Sequence, residues 1–243
     1  MKQKPSQRGF SLIELMISIV ILMIILAALF QVIGMVQQRT SAEQTKLDMF
    51  QEAREFMDQM SRDLHQAGYP STRNFLKSGI LTASPVFNDF RTAAGLIKVD
   101  AGDLWFEGDV DGTGNVSVVR YHLDTSTTNG CPCLKRSQLQ KQTGDPLSGQ
   151  LTEVYEVEVQ GVQNTNIFSA FSHGSTGTPV SLPIDFTNNG STIATIDTVQ
   201  AQLTLRAAIP DPKTNRRPVT TLVVSAKLTN CSQAATGLPM SCQ

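Results

Sequence analysis

The feature that most constrains the fold is an almost unbroken apolar run from Leu15 to Val36. At about 1.5 Å of helical rise per residue, its roughly 22 residues suffice to cross a hydrocarbon core of about 30 Å. Three basic residues precede the run: Lys2, Lys4 and Arg8. The next cationic residue is Arg39. This asymmetry of charge predicts a single membrane span with a cytoplasmic N-terminus.

An ordinary secretory signal, removed after its apolar core, is the alternative interpretation of such an N-terminus. The run is, however, longer than the usual signal core of about 7 to 15 residues. No Ala-x-Ala cleavage site follows it, because Ala27 and Ala28 lie inside the run. A small residue, Gly9, instead stands at the boundary between the basic leader and the run. These features favour a span that is retained.

The segment Gly9-Phe10-Ser11-Leu12-Ile13-Glu14 resembles the processing motif of type IV prepilins and of type II secretion pseudopilins. The resemblance implies that a prepilin peptidase removes residues 1–9 by cutting between Gly9 and Phe10, and that the new amino group of Phe10 is N-methylated. It implies further partners: other major and minor pilins, met through the N-terminal helix, and an inner-membrane assembly platform. The implied location is the bacterial inner membrane with a periplasmic C-terminal domain, and then a pilus at the cell surface.

Glu14 places a carboxylate near the start of the span, where it is costly and therefore indicates a function. If the leader is removed, the nearest candidate cation is the amino group of Phe10, four residues earlier. On a helix the two residues lie on one face, about 6 Å apart along the axis. A neighbouring helix shifted by about one turn would bring its amine to Glu14, neutralise the charge and set the register of assembly. The alternative is that Glu14 lies in the headgroup zone.

The segment from 37 to 67 contains neither Pro nor Gly and predicts an amphipathic second half of the same helix. Its apolar stripe comprises Phe50, Ala53, Met57, Met60, Leu64 and Ala67. Its predicted solvated face comprises Glu52, Arg54, Glu55, Asp58, Arg62 and Asp63. We predict one helix over 10–67, spanning the membrane at about 10–36 and ending at Gly68 and Pro70. Packing on the protein's own sheet is favoured over a coiled coil of about three heptads.

Short β-type segments separated by Gly, Asn, Thr, Ser and Pro follow the helix. The candidate strands are 104–107, 116–123, 154–159, part of 192–208, and 220–228. The last two alternate apolar and polar residues and predict a hairpin with the loop 210–218. Because the strands follow the helix instead of alternating with helices, we predict an α+β fold. An antiparallel sheet of the domain 68–243 would pack on the amphipathic half of the helix.

Weaker similarities resemble one subgroup, the PilW-like minor pilins and the related GspJ-type minor pseudopilins. They lie in the segments 104–115, 119–121, 154–161 and 227–230. This resemblance implies a minor subunit that helps to start or cap assembly at or near the fibre tip. The alternative hypothesis is a membrane-tethered β-domain that displays an adhesive or calcium-dependent surface through its polar loops.

The turn 109–115 is the candidate site for a cofactor. Asp109, Asp111 and Thr113 place oxygen atoms at alternate positions, which matches the first half of a calcium loop. The second half is missing, because Arg120 stands where an EF-hand has its bidentate Glu. A Gly-rich hairpin turn that needs no cofactor is therefore favoured, and calcium is the alternative.

Four cysteines beyond the span fit an oxidising periplasm. Cys231 and Cys242 resemble the C-terminal disulfide loop of many pilins, which implies that they pair. Cys131 and Cys133, in a predicted exposed loop, would then bond to each other, although a bond between cysteines two apart is strained. Zinc held with His122 or His173 stays open, without any usual ligand spacing to support it.

An enzymatic function finds no support in the sequence, which lacks a phosphate loop, a nucleophile elbow and an HExxH motif. His65, His122 and His173 are isolated from one another in the sequence. With a net charge of -1, the chain does not indicate nucleic-acid binding. Its one basic cluster, Arg216-Arg217 beside Lys213, is interpreted as a solvated loop tip. We therefore expect a structural protein without catalytic residues.

Overall fold

A computed structural model describes residues 11–75, 81, 83–127, 131–172, 177–211 and 214–230. Its dominant element is one helix, α1 (Leu12–Gln66), of 55 residues. At about 1.5 Å per residue this helix is roughly 80 Å long, so only part of it can lie within a bilayer. It begins after the extended residue Ser11 and ends before Ala67, and the following Gly68 has a φ of 83° that favours glycine.

Two antiparallel sheets follow α1 in the described part of the chain. In chain order the strands are β1 (Leu96–Asp100), β2 (Asp103–Gly108), β3 (Ser117–Asp124), β4 (Cys133–Gln140), β5 (Glu156–Gln160), β6 (Phe168–Phe171), β7 (Ile184–Asp185), β8 (Thr198–Arg206) and β9 (Val219–Lys227). Sheet A has the order β5-β4-β3-β2-β1-β7, and sheet B has the order β6-β8-β9. A short helix, α2 (Gly190–Ile193), precedes β8. The predicted α+β architecture, a long helix on antiparallel sheet, is confirmed.

The predicted strands all correspond to observed ones, namely β2, β3, β5, β8 and β9. The predicted hairpin is confirmed, because β8 and β9 pair antiparallel from Thr198 with Lys227 to Arg206 with Val219. The expectation of one sheet is wrong, and β1, β4, β6 and β7 were missed. β4 illustrates the reason: Lys135 and Arg136 make it polar on both faces, so its sequence shows no alternation of apolar residues.

The C-terminal half of α1 packs on the inner faces of both sheets. Its buried residues are Ala53, Phe56, Met57, Met60, Asp63 and Leu64. They form one core with residues such as Phe106 of sheet A and Leu203 of sheet B. Phe50 of the predicted stripe is only half-buried, whereas Phe56, outside that stripe, lies 5.4 Å edge-on from the Tyr121 ring. Packing of the stripe on the protein's own sheets is thereby confirmed.

The end of α1 is held against the end of β2 at Gly108. The Gly68 N–H donates to the Glu107 carbonyl at 2.8 Å, and the Asp109 N–H donates to the Tyr69 carbonyl at 2.9 Å. A Cβ at position 108 would overlap the carbonyl oxygen of Gln66. Glycine is required here because the two backbones approach so closely.

Asp63 corrects the predicted solvated face, since it is buried with 6% of its surface exposed. Its Oδ2 accepts hydrogen bonds from the Tyr121 hydroxyl at 2.7 Å and from Arg136 Nη2 at 2.8 Å. Burial and the adjacent Asp63 carboxylate raise the pKa of the Tyr121 hydroxyl well above its usual value. The expectation was wrong because the partners of Asp63 come from β3 and β4, which local periodicity does not reveal. This network joins the helix to sheet A.

Candidate functional site

The N-terminal half of α1 projects away from the domain with its apolar side chains exposed. Along the described chain, α1 is the one helix long and apolar enough to cross a membrane. Its most apolar segment is not buried within the protein. Exposed apolar surface on this scale requires a lipid or a protein partner.

Glu14 lies in the first turn of this exposed half. The backbone N–H groups of Glu14 and Leu15 donate to the Ser11 carbonyl at 3.0 and 3.2 Å, so the helix starts just before the acid. The Ser18 hydroxyl donates to the Glu14 carbonyl at 2.8 Å. The Glu14 carboxylate is exposed, and within the described ranges it forms no ion pair. Among the described residues, the helix therefore presents an acidic side chain without an ionic partner at one end of an apolar surface.

The family model of the prokaryotic N-terminal methylation motif matches residues 4–30. This match indicates a prepilin-type, type IV pilin-like protein. The matched segment contains Gly9, Phe10 and Glu14, of which Gly9 and Phe10 lie outside the described residues. Neither the curated proteins nor the solved structures contain a match.

The matched motif and the exposed apolar half of α1 both assign the function to the N-terminal helix. The motif implies processing by a prepilin peptidase and assembly with other pilins. The apolar helix indicates anchoring in the inner membrane. The first part of α1 is thus the candidate functional site, and the folded domain is attached to its C-terminal half.

The turn between β2 and β3 contains the three candidate calcium ligands. Most of their side-chain oxygen atoms already form hydrogen bonds within the turn. Asp111 Oδ1 accepts from the Thr113 backbone N–H at 3.1 Å and from the Thr113 hydroxyl at 2.8 Å. Asp109 Oδ2 accepts from the Gly114 N–H at 3.0 Å. Asp109 Oδ1 is buried without a hydrogen-bond partner. The turn therefore closes the β2–β3 hairpin through its own side chains.

We expect that removing calcium with EDTA leaves the melting temperature unchanged, because Asp111 Oδ1 already accepts two hydrogen bonds from Thr113 and the turn is closed by these bonds. The expected change in melting temperature is below about 2 °C. A stabilisation of roughly 1 kcal/mol would already produce a larger shift in a domain of this size. The measurement is thermal unfolding with EDTA and with added calcium. A calcium-dependent rise that disappears in Asp111→Asn would instead establish the calcium alternative.

Cys131 and Cys133 form a disulfide at the start of β4. The two cysteines are buried, with 8% and 0% exposed, so the expectation of an exposed loop is wrong for them. Their sulfur atoms lie within 4.8 Å of an Asp124 carboxylate oxygen, but as a disulfide they supply no thiolate for zinc. Cys231, Cys242 and His173 lie outside the described residues.

His122, the other candidate zinc ligand, lies on β3 beside a charged cluster that the sequence did not indicate. The cluster is centred on Arg120, whose guanidinium stacks on the Trp105 ring at 4.5 Å. It donates to both oxygens of Asp103 at 2.8 and 2.9 Å and to Glu153 at 2.8 Å. Burial raises the pKa of Asp103, but neighbouring His122 and Arg120 more than offset this and hold it well below its usual value. The cluster ties the segment before β5 to sheet A.

Glu107 and Lys141 form a separate ion pair, and neither side chain has any exposed surface. Lys141 Nζ donates to Glu107 Oε2 at 2.6 Å and to the carbonyls of Phe87 and Thr92 at 2.7 and 2.8 Å. The Ala94 N–H donates to the same Glu107 oxygen at 2.8 Å. Burial raises the pKa of Glu107, and Lys141 opposes that effect. This pair holds the segment that leads into β1 against sheet A.

Proposed function

We propose that this chain is a minor type IV pilin, a structural subunit that helps to initiate or cap assembly of a pilus. One observation carries the proposal: the methylation motif at residues 4–30 runs directly into the exposed apolar half of α1, with Glu14 in its first turn. Processing between Gly9 and Phe10 would leave a methylated amine at the end of a helix that is retained in the membrane.

The proposed mechanism is the transfer of this helix from lipid into a bundle of pilin helices. In lipid, the exposed side chains of α1 are solvated by acyl chains, and in the bundle they pack on neighbouring helices. The Glu14 carboxylate would accept the Phe10 amine of an adjacent subunit about one helical turn away. Because both charges are costly in a medium of low dielectric constant, their pairing favours one register.

The minor role is proposed from the resemblance of 104–115, 119–121, 154–161 and 227–230 to the PilW-like subgroup. A role as a minor pseudopilin of a type II secretion system is the alternative, because it uses the same helix chemistry. Deletion of the gene separates the two: loss of pili supports a pilin, and loss of secreted proteins supports a pseudopilin. We also propose that the chain has no enzymatic activity of its own and does not bind nucleic acid directly.

A membrane-tethered binding module is the remaining candidate. The observation that favours it is an open polar groove of about 690 Å³ beside β4 and β5, lined by residues that include Arg136, Gln138, Glu156 and Glu158. Burial raises the pKa of Glu158 in this groove. Such a module needs only an apolar anchor, whereas a pilin also needs the Phe10 amine and Glu14.

The N-terminal mass of the protein from its native membrane tests the processing step. We expect a chain that starts at Phe10 and carries one methyl group on its amine. Gly9→Leu is expected to prevent cleavage, because the motif presents a small residue at this position, while the control Ser6→Ala in the discarded leader is processed normally. A wild-type chain starting near Gln31 would overturn the proposal in favour of a secretory signal, and an uncut Met1 would leave a simple anchor.

A further inference from the structure

The loop between β8 and β9 lies beside the point where α1 leaves the apolar span. Its Ile209 side chain lines a cleft of about 450 Å³ together with Gln37, Gln38, Ser41 and Ala42 of the helix. These helix residues follow Val36, the last residue of the apolar run, by one to six positions. At about 1.5 Å per residue they lie roughly 1.5 to 9 Å beyond the hydrocarbon boundary, which is the depth of the headgroup layer.

The directions of α1 and β9 support this placement. At the far end of β9, the Thr229 hydroxyl and the Asn230 side chain donate to the His65 carbonyl at 2.7 and 3.0 Å. From there back to position 219, a strand covers about 33 Å, and from His65 back to Ser41 the helix covers about 36 Å. The two elements run side by side in the same direction. The β8–β9 loop is therefore at the end of the domain nearest the span.

The described residues of this loop combine positive charge with exposed apolar side chains. Arg216 and Arg217 are exposed, and the ion pairs within the described ranges involve neither of them. Ile209 is 44% exposed, and Val219, the first residue of β9, is 54% exposed. The Asp211 N–H donates to the Arg216 carbonyl at 2.9 Å, so the two sides of the loop are held together. Cationic and apolar groups on one small surface fit an anionic lipid interface.

Acidic groups near the loop are few. Asp211 lies in the loop itself and Glu43 follows the cleft on α1. Three arginines outnumber them among the described residues of the loop and its adjoining strand end: Arg206, Arg216 and Arg217. On the helix, Arg39 lies at the same level and adds a fourth positive charge. The membrane-facing end of the domain is thus positively charged, although the whole chain has a net charge of -1.

We propose that the β8–β9 loop binds the phosphate groups of anionic phospholipids in the periplasmic leaflet and so orients the domain on the membrane before assembly. Arg216 and Arg217 would contact the phosphates, and Ile209 and Val219 would enter the interface. This inference rests on the proposed function, because it requires α1 to be inserted with the domain in the periplasm. It replaces the interpretation of Arg216-Arg217 as a merely solvated loop tip.

The test is hydrogen exchange of the full chain inserted in lipid nanodiscs, because it needs no label and leaves the cysteines unchanged. We compare discs of neutral phosphatidylcholine with discs that contain phosphatidylglycerol. Each basic group near an anionic surface contributes roughly fivefold in binding, and the two factors multiply. Two arginines therefore justify an expected slowing of about 25-fold in peptides covering 207–219. The slowing should vanish in Arg216→Glu/Arg217→Glu and decrease at high salt.

The matched control is Arg54→Glu/Arg62→Glu, which makes the same charge change on the exposed face of α1 at least about 27 Å beyond Val36. This variant should retain the slowing. Equal exchange of the wild type in both lipids would overturn the lipid contact while leaving the proposed function intact. Slowing that appears only when a second prepilin is inserted would assign the loop to a protein partner instead. Failure of α1 to enter either disc would overturn the anchor and both proposals with it.

Discussion

Glu14→Ala is expected to abolish incorporation of this subunit into fibres while leaving it stable in the membrane. Glu14 forms no ion pair within the described part of the chain and lies at the start of an exposed apolar helix. In the assembled bundle, removing one partner of a buried ion pair costs about 3 to 5 kcal/mol, which is a loss of more than roughly a hundredfold in the assembly equilibrium. Membrane insertion is unaffected or improved, because the variant removes a charge from the span.

The measurement is the amount of subunit in sheared fibres relative to the amount in the membrane. Glu43→Ala is the matched control, because Glu43 is an exposed acid on the same helix beyond the span. It should assemble normally. Glu14→Gln separates charge from size and is expected to fail like the alanine variant. Normal incorporation of Glu14→Ala would remove the assembly role and favour the membrane-tethered module.

Lys141→Met should destabilise the domain by about 3 to 5 kcal/mol, because it leaves the Glu107 carboxylate buried without its cation. Both side chains have no exposed surface, and the lysine also donates to the carbonyls of Phe87 and Thr92. Part of the loss is relieved by protonation of Glu107, whose pKa burial already raises. The destabilisation should therefore be smaller at acidic pH, where protonating Glu107 costs less, and larger at neutral pH.

Urea unfolding in detergent micelles measures this effect through the fluorescence of Trp105, the single tryptophan of the chain. Its ring stacks against Arg120 in the folded sheet and loses that contact on unfolding. Lys227→Met is the control, because Lys227 is an exposed lysine at the end of β9. A double variant, Glu107→Leu/Lys141→Met, should recover most of the stability. A cost below about 1 kcal/mol for Lys141→Met, or no recovery in the double variant, would contradict this account.

The sequence by itself determined the features that depend on residues close together in the chain. A run of about 22 apolar residues predicts a span whatever follows it, because length and hydropathy are local properties. The positions of Gly9, Phe10 and Glu14 within one short motif likewise needed no fold to be interpreted. The helix end near Gly68, the β2–β3 turn and the β8–β9 hairpin followed from turn residues and alternation.

The tertiary structure alone decided which polar residues are buried and how the strands divide into two sheets. Asp63 was predicted to face solvent, yet its partners Tyr121 and Arg136 lie 58 and 73 positions further along the chain. Glu107 and Lys141 are likewise 34 residues apart. β4 is polar in sequence partly because its Arg136 side chain completes the first of these distant contacts, and Lys141 directly follows the strand. Local periodicity reports only the average polarity of a face. The free energy of a buried charge depends on the partner that folding brings to it.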